Sequence, residues 1–132
     1  MRSSVLESFT EYLEASFTLD ASRVAEFYDE PFMFVAAARA VTAATRTEAE
    51  ALLEPGFAVL RDSGYVRTDS PTLRSKSLGA GLAIISGVGV RYASDGSQMA
   101  TFGSTYLWRK ALDGWKLAVM TVHEPSAVLT LD

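Results

Sequence analysis

Few side chains in this sequence are suited to chemistry. There is one histidine, His123, and no cysteine, beside five tyrosines and sixteen acidic residues. A lone histidine gives one side chain that titrates near neutrality. The lack of cysteine removes thiolate nucleophiles, thiolate metal ligands and disulfides. His, Asp and Glu form no cluster at metal-ligand spacing, so neither a metal nor a cofactor is expected. Gly87-x-Gly89 falls inside a strand-like run, without the strand–turn–helix setting of a nucleotide loop. Glycines there suit a bend or a close approach of another segment. For proton transfer the candidates are Tyr12, Asp29 and His123. Asp29 and Glu30 are adjacent carboxylates after a short helical stretch, and Glu124 follows His123. Arg91 and Arg109 near strand ends could hold a carboxylate bidentately.

Helices come first in the chain and strands later. Ser4-x-x-Glu7 reads as a capping box, and Val5, Leu6, Phe9, Tyr12, Leu13 and Phe17 recur at helical spacing. Asp20 reads as a second N-cap, with Val24, Phe27 and Tyr28 on one helical face and Pro31 ending the helix. Phe32 to Val35 reads as a buried strand, and Ala36 to Arg46 carries no clear period. Thr47-x-x-Glu50 reads as a further capping box, with Leu52, Leu53, Phe57 and Leu60 behind it. Pro55-Gly56 predicts a break or kink, and Asp62-Ser63-Gly64 a stop. From Tyr65 the period is two. Four strands are predicted: Tyr65 to Ser77, Leu82 to Tyr92, Gln98 to Lys110 and Trp115 to His123. Asp95-Gly96 and Asp113-Gly114 are hairpin turns, and Leu78 to Gly81 makes the third connection. The result is an α+β chain, one domain over 1–132, with its helices on one face of a curved antiparallel sheet.

The formal net charge is −4 and the basic residues are scattered, which argues against a nucleic-acid surface. No apolar run has the length and flanks of a signal peptide or membrane span, so a cytoplasmic protein is expected.

Two stretches carry a resemblance. Phe27-Tyr28-Asp29-Glu30-Pro31 and Asp113-Gly114-Trp115-Lys116-Leu117, set in this element order, resemble the nuclear transport factor 2-like (SnoaL-like, cystatin-like) superfamily. The resemblance implies a sheet curved around helices into a cone with a pocket at one end, and a homodimer through the outer sheet face. It does not imply one activity, since members include isomerases, dehydratases, cyclases, adaptors and assembly domains. Against steroid isomerases of the superfamily, Tyr12 and Tyr28 keep the spacing of two tyrosines. The catalytic base falls on Ala36, and the second carboxylic acid on Tyr106. Carbon-acid deprotonation needs a positioned base, so that chemistry is disfavoured.

Strand alternation gives a pocket face. If Tyr106 points inward, Phe102, Ser104 and Trp108 follow it, joined by Ser86, Val88 and Val90, by Ala118, Met120 and Val122, and by Phe9, Tyr12 and Tyr28 from the N-terminal part. Such a lining suits an uncharged aromatic or lipid-like molecule held by one or two hydrogen bonds. The same parity puts His123 outside the cone with Trp115, Leu117, Val119 and Thr121, and places Arg91 and Arg109 opposite Tyr106. Three functions remain in view. One is an apolar small-molecule binder. The second is a small enzyme pairing Tyr12 with Asp29 or His123. The third is an assembly module using Trp115, Val119 and Leu107.

Overall fold

A computed structural model describes residues 4–131; the first three residues and the last of the predicted domain lie outside it. Helix α1, Val5–Ser16, starts where the capping box predicts. The Ser4 hydroxyl accepts from the Glu7 N–H at 3.1 Å, and the Glu7 carboxylate accepts from the Ser4 N–H at 2.9 Å. Asp20 caps α2, Ala21–Ala25. This helix is shorter than expected, because Tyr28, Asp29 and Glu30 belong to strand β1, Tyr28–Ala36. Five helical residues form few internal hydrogen bonds, whereas the strand gains a sheet neighbour: the Leu117 N–H donates to Phe27 O at 2.7 Å.

A two-residue turn leads from β1 to β2, Arg39–Ala43. This short edge strand lies in the Ala-rich stretch that showed no period, and alanine is a weak strand former. Helix α3 is Arg46–Asp62, capped by Thr45 rather than Thr47. The Thr45 hydroxyl accepts from the Glu48 N–H at 3.2 Å, and Glu48 reaches back to the Ala44 N–H at 3.2 Å. The helix runs through Pro55 instead of breaking there. Leu52 and Leu53 before the proline and Phe57 after it all pack on the core, so tertiary contact outweighs the missing hydrogen bond. Gly64, at φ +79, turns the chain into the meander.

The meander strands are β3 Tyr65–Ser77, β4 Leu82–Ala93, β5 Gln98–Ala111 and β6 Gly114–His123. Their order in the sheet is β2-β1-β6-β5-β4-β3. All pairings are antiparallel except β1 with β6, so the six-stranded sheet is mixed and stays open. The helices lie against its concave face, giving the α+β cone. Phe9 and Tyr12 of α1 meet Tyr106 and Trp108 of β5 edge to face, with ring centroids 5.1–6.4 Å apart. Trp108, Leu117, Ile85 and Val24 complete this fully buried layer.

Two register features decide which residues face the cone. On β4, Ile85 pairs with Tyr106, Gly87 with Ser104 and Gly89 with Phe102. The inner row is therefore Ile85, Gly87, Gly89 and Arg91, and the predicted Ser86–Val88–Val90 face is reversed. On β6 the pairing runs from Leu107–Val119 to Trp108–Leu117, which leaves Ala118 as a one-residue bulge. Beyond it the parity flips. Leu117 and Trp115 join the inner face and pack on the core, while Val119, Thr121 and His123 stay outside.

Candidate functional site

Between α1, α3 and the concave sheet lies a cavity of about 460 Å³. From α1 come Phe9, Tyr12, Leu13 and Ser16, and from α3 Leu52, Leu53, Phe57 and Leu60. β1 and β2 give Tyr28, Phe32, Phe34, Arg39 and Val41. β3 supplies Tyr65, Thr68, Ser70 and Leu73, and β4 to β6 add Gly87, Gly89, Arg91, Phe102, Ser104, Tyr106 and Met120. Val88 borders the cavity as well, although it alternates toward the outer face with Gly103 as its partner. Trp108 does not reach the wall. It is fully buried beneath Phe9 and Tyr12, and its indole N–H meets no acceptor among the described residues.

The strands make room for this space with glycine. A Cβ on Gly89 would lie 2.5 Å from the tip of the Phe102 ring, so the missing side chain is what lets that ring lie flat against β4. A Cβ on Gly87 would lie 2.6 Å from the Thr72 carbonyl oxygen, where β3 curls over β4 next to an irregularity in their register.

Polar groups in the wall are few. The Tyr12 and Tyr28 hydroxyls pair at 3.3 Å, and Tyr12 also approaches the Met120 sulfur at 3.9 Å. Burial pushes both phenols up, Tyr12 most strongly, with its neighbour Tyr28 adding to the effect. Both stay neutral donors across the physiological range. Tyr28 also stacks on Phe32 at 4.2 Å. Burial raises Tyr106 too, while the Ser104 hydroxyl and the Arg91 charge nearby pull it back. Ser104 lies close to the Tyr106 phenol, yet its buried hydroxyl reaches no partner at hydrogen-bond geometry among the described residues. Tyr65 is held to Thr68 at 2.8 Å.

The two remaining proton-transfer candidates lie elsewhere. Asp29 is 9% exposed on β1, outside the cavity wall and away from the helix end where it was expected. Arg109 donates to both its oxygens, at 2.7 and 2.9 Å, and holds its carboxyl below the usual range. Glu30 instead accepts from the Arg46 N–H at 2.6 Å, at the start of α3. His123 lies on the outer face over Gly103, where a Cβ would clash with its ring at 2.6 Å. Its Nδ1 donates to the Glu124 carbonyl at 2.9 Å, and its Nε2 shares a hydrogen bond with the Thr105 hydroxyl at 2.8 Å. Thr105 contacts Ser86 at 2.9 Å, and Ser86 in turn accepts from the Leu129 N–H at 3.0 Å. This chain fastens the C-terminal segment across β5 and β4, and it explains a buried serine on the outer face. Among the described residues no group of three metal-ligating side chains occurs, and no helix is long and apolar enough to cross a membrane.

Sequence reading misplaced one arginine of the wall and gave no place to another. Arg91 was expected outside but lies in the cavity wall, its guanidinium 4.5 Å from the Phe102 ring centre. Arg39 lies on β2, which was not foreseen, 5.8 Å from the Phe34 ring. The α3 residues were legible as an apolar stripe, though not as cavity wall.

An open mixed sheet folded around three helices over an apolar cavity is the nuclear transport factor 2-like cone. The chain belongs to the NTF2-like protein (DUF6841) family, whose model matches residues 3–125. No curated protein matches it in sequence. Solved structures share the fold at low identity. An NTF2-like protein with a cystatin-like fold from Novosphingobium aromaticivorans has a TM-score of 0.74 at 16% identity, covering 92% of this chain and 79% of that one. Aln2 from a Streptomyces species gives 0.75 at 12%, over 96% of both chains. A putative calcium/calmodulin-dependent protein kinase II association domain from Xanthomonas campestris gives 0.71 at 15%, over 91% and 84%. At these identities the likeness extends to the fold alone.

Proposed function

We propose that this chain binds a small molecule with an apolar or aromatic body in its cone. The observation that carries this is the cavity itself. About 460 Å³ lies open beneath α3, walled by Phe, Tyr, Leu and Met side chains, and this falls in the usual range of roughly 300–1,000 Å³ for ligand sites. A molecule there could donate to or accept from the Ser104 hydroxyl, which has no partner among the described residues, and from the neighbouring Tyr106 phenol. The proton-transfer alternative is less supported. Tyr12 lines the cavity, but the carboxylate and imidazole proposed to work with it, Asp29 and His123, point elsewhere and are already engaged. Self-association through the outer sheet face is a second proposal. Leu107 and Val119 remain half-buried there with Met33 39% exposed, whereas Trp115 belongs to the core side.

Native mass spectrometry of freshly purified protein, followed by denaturing extraction, tests the binding proposal. A stoichiometric co-purifying apolar molecule supports it. A ligand-free chain that also takes up no apolar compound from a small-molecule panel contradicts it.

A further inference from the structure

The cavity is apolar but not neutral. Among the described residues its wall contains two charged side chains, Arg39 and Arg91, and no carboxylate. Neither arginine forms an ion pair or a hydrogen bond among the described residues. This sets them apart from Arg61, Arg67 and Arg109, which all pair with acidic groups. Arg91 is half-buried on the inner row of β4. Gly89 lets Phe102 lie flat, and the Arg91 guanidinium rests over that ring at 4.5 Å. A guanidinium held by its face keeps its edge donors free, and that edge matches the two oxygens of a carboxylate. Tyr106 and the unpartnered Ser104 hydroxyl lie on the neighbouring strand, close enough for the arginine charge to draw the Tyr106 phenol down against the effect of burial. Arg39 is arranged similarly over Phe34, more exposed, on the edge strand β2 at the other end of the strand order from β4.

We propose that the ligand is an amphipathic carboxylate: an aromatic or acyl body lies in the cone, and its acid group docks on the free edge of Arg91, with Arg39 adding attraction from the rim. This rests on the reading of the cavity as a binding site and replaces the uncharged ligand expected from sequence. A half-buried unpaired guanidinium in an apolar wall is an unfavourable arrangement until an anion arrives, and a charge-assisted bidentate contact offsets it. Since one half-buried arginine forms the dock, a single negative charge is the matching headgroup.

The test is a fluorescence titration with 11-(dansylamino)undecanoic acid and its primary carboxamide, which differ only in the headgroup charge. The wild-type chain should bind the acid about 10- to 100-fold more tightly than the carboxamide, the range expected for hydrogen bonds to a charged group. In Arg91→Gln the acid should lose most of its affinity, so that the two affinities converge to within about threefold, and an unchanged far-ultraviolet circular dichroism spectrum shows that the variant is folded. Arg91→Lys should keep part of the preference, because charge remains but the fork is lost. Equal binding of acid and carboxamide by the wild type, or a preference that survives in Arg91→Gln, overturns the carboxylate assignment and leaves the cavity reading intact. Equal losses of acid and carboxamide affinity in Arg91→Gln give Arg91 a packing role and likewise overturn it. If neither probe binds the wild type, the cavity reading fails and this inference with it.

Discussion

Gly87 and Gly89 are two residues apart on one strand face, yet alanine should affect them differently. At Gly89 the new methyl would sit 2.5, 2.8 and 3.0 Å from three atoms of the Phe102 ring. Ordinary carbon contact is about 3.5–4.0 Å, so the ring must recede by roughly 1 Å. The ring is the far end of a side chain that borders the cavity, so it can swing inward. Losing the stack with Arg91 and some ring packing should cost about 1 kcal/mol, partly offset by the reduced freedom of alanine over glycine in the unfolded chain. At Gly87 the methyl would meet the Thr72 carbonyl oxygen at 2.6 Å and the Leu73 Cα at 3.2 Å. Those are backbone atoms of β3, and only a separation of the two strands relieves them. A cost of about 2–3 kcal/mol is expected, within the usual range for overpacking. Thermal unfolding followed by circular dichroism should therefore show Gly87→Ala lowered by roughly 6–15 °C and Gly89→Ala by no more than about 5 °C. Dansyl-probe affinity should fall mainly in Gly89→Ala, where the ring occupies ligand space. Equal melting losses in the two variants, or Gly89→Ala binding the probe as well as wild type, would refute this account of how the glycines shape the cavity.

Four further outcomes are expected. Asp29→Asn should lower stability by about 1–2 kcal/mol at pH 7, less than a fully buried pair because Arg109 is half exposed. Asp29 is held below its unfolded value by Arg109, so its contribution is complete above the unfolded carboxylate range and fades as pH falls through the lower folded value. The melting gap between wild type and Asp29→Asn, followed from pH 7 down to pH 2.5, should therefore close on the acid side. Thr45→Ala should lose about 1 kcal/mol in urea unfolding while Thr47→Ala stays within about 0.5 kcal/mol, because Thr45 is the residue that caps α3. Ser86→Ala leaves the Leu129 N–H without its acceptor and should cost about 1–2 kcal/mol, with faster amide exchange confined to residues 124–131. His123→Ala should leave dansyl-probe affinity within about twofold, since the ring lies across the sheet from the cavity.

Much of the fold was legible because its signals are local. The Asp-Gly turns and period-two runs place all four meander strands within a residue of their observed ends. The Ser4 box and the Asp20 cap are likewise complete in a few adjacent residues. What escaped depends on partners distant in sequence. Tyr28 and Asp29 look like a helix end until β6 offers them a strand to pair with. The face of β4 was misread because apolarity usually marks the core side of a strand. Here the core side carries glycines that make room for Phe102 and for β3, while Val88 and Val90 share their outward row with Ser86, which the C-terminal segment crosses. The bulge at Ala118 leaves no mark in composition, yet it moves Trp115 and Leu117 from one face to the other. Most of the tentative cavity residues, from Phe9 and Tyr12 to Tyr106 and Met120, do border the space. The two arginines escaped because one sits on the misread face and the other on a strand that alanine concealed.

The most direct measurement is methyl NMR on protein labelled with ¹³C at the methionine methyls, titrated with 11-(dansylamino)undecanoic acid. Met120 borders the cavity, while Met33 lies on the outer face of β1 and Met99 is not part of the cavity wall. The account predicts a saturable shift of the Met120 methyl with Met33 and Met99 unmoved. An unmoved Met120, or shifts confined to Met33, would show that the cone does not take the ligand.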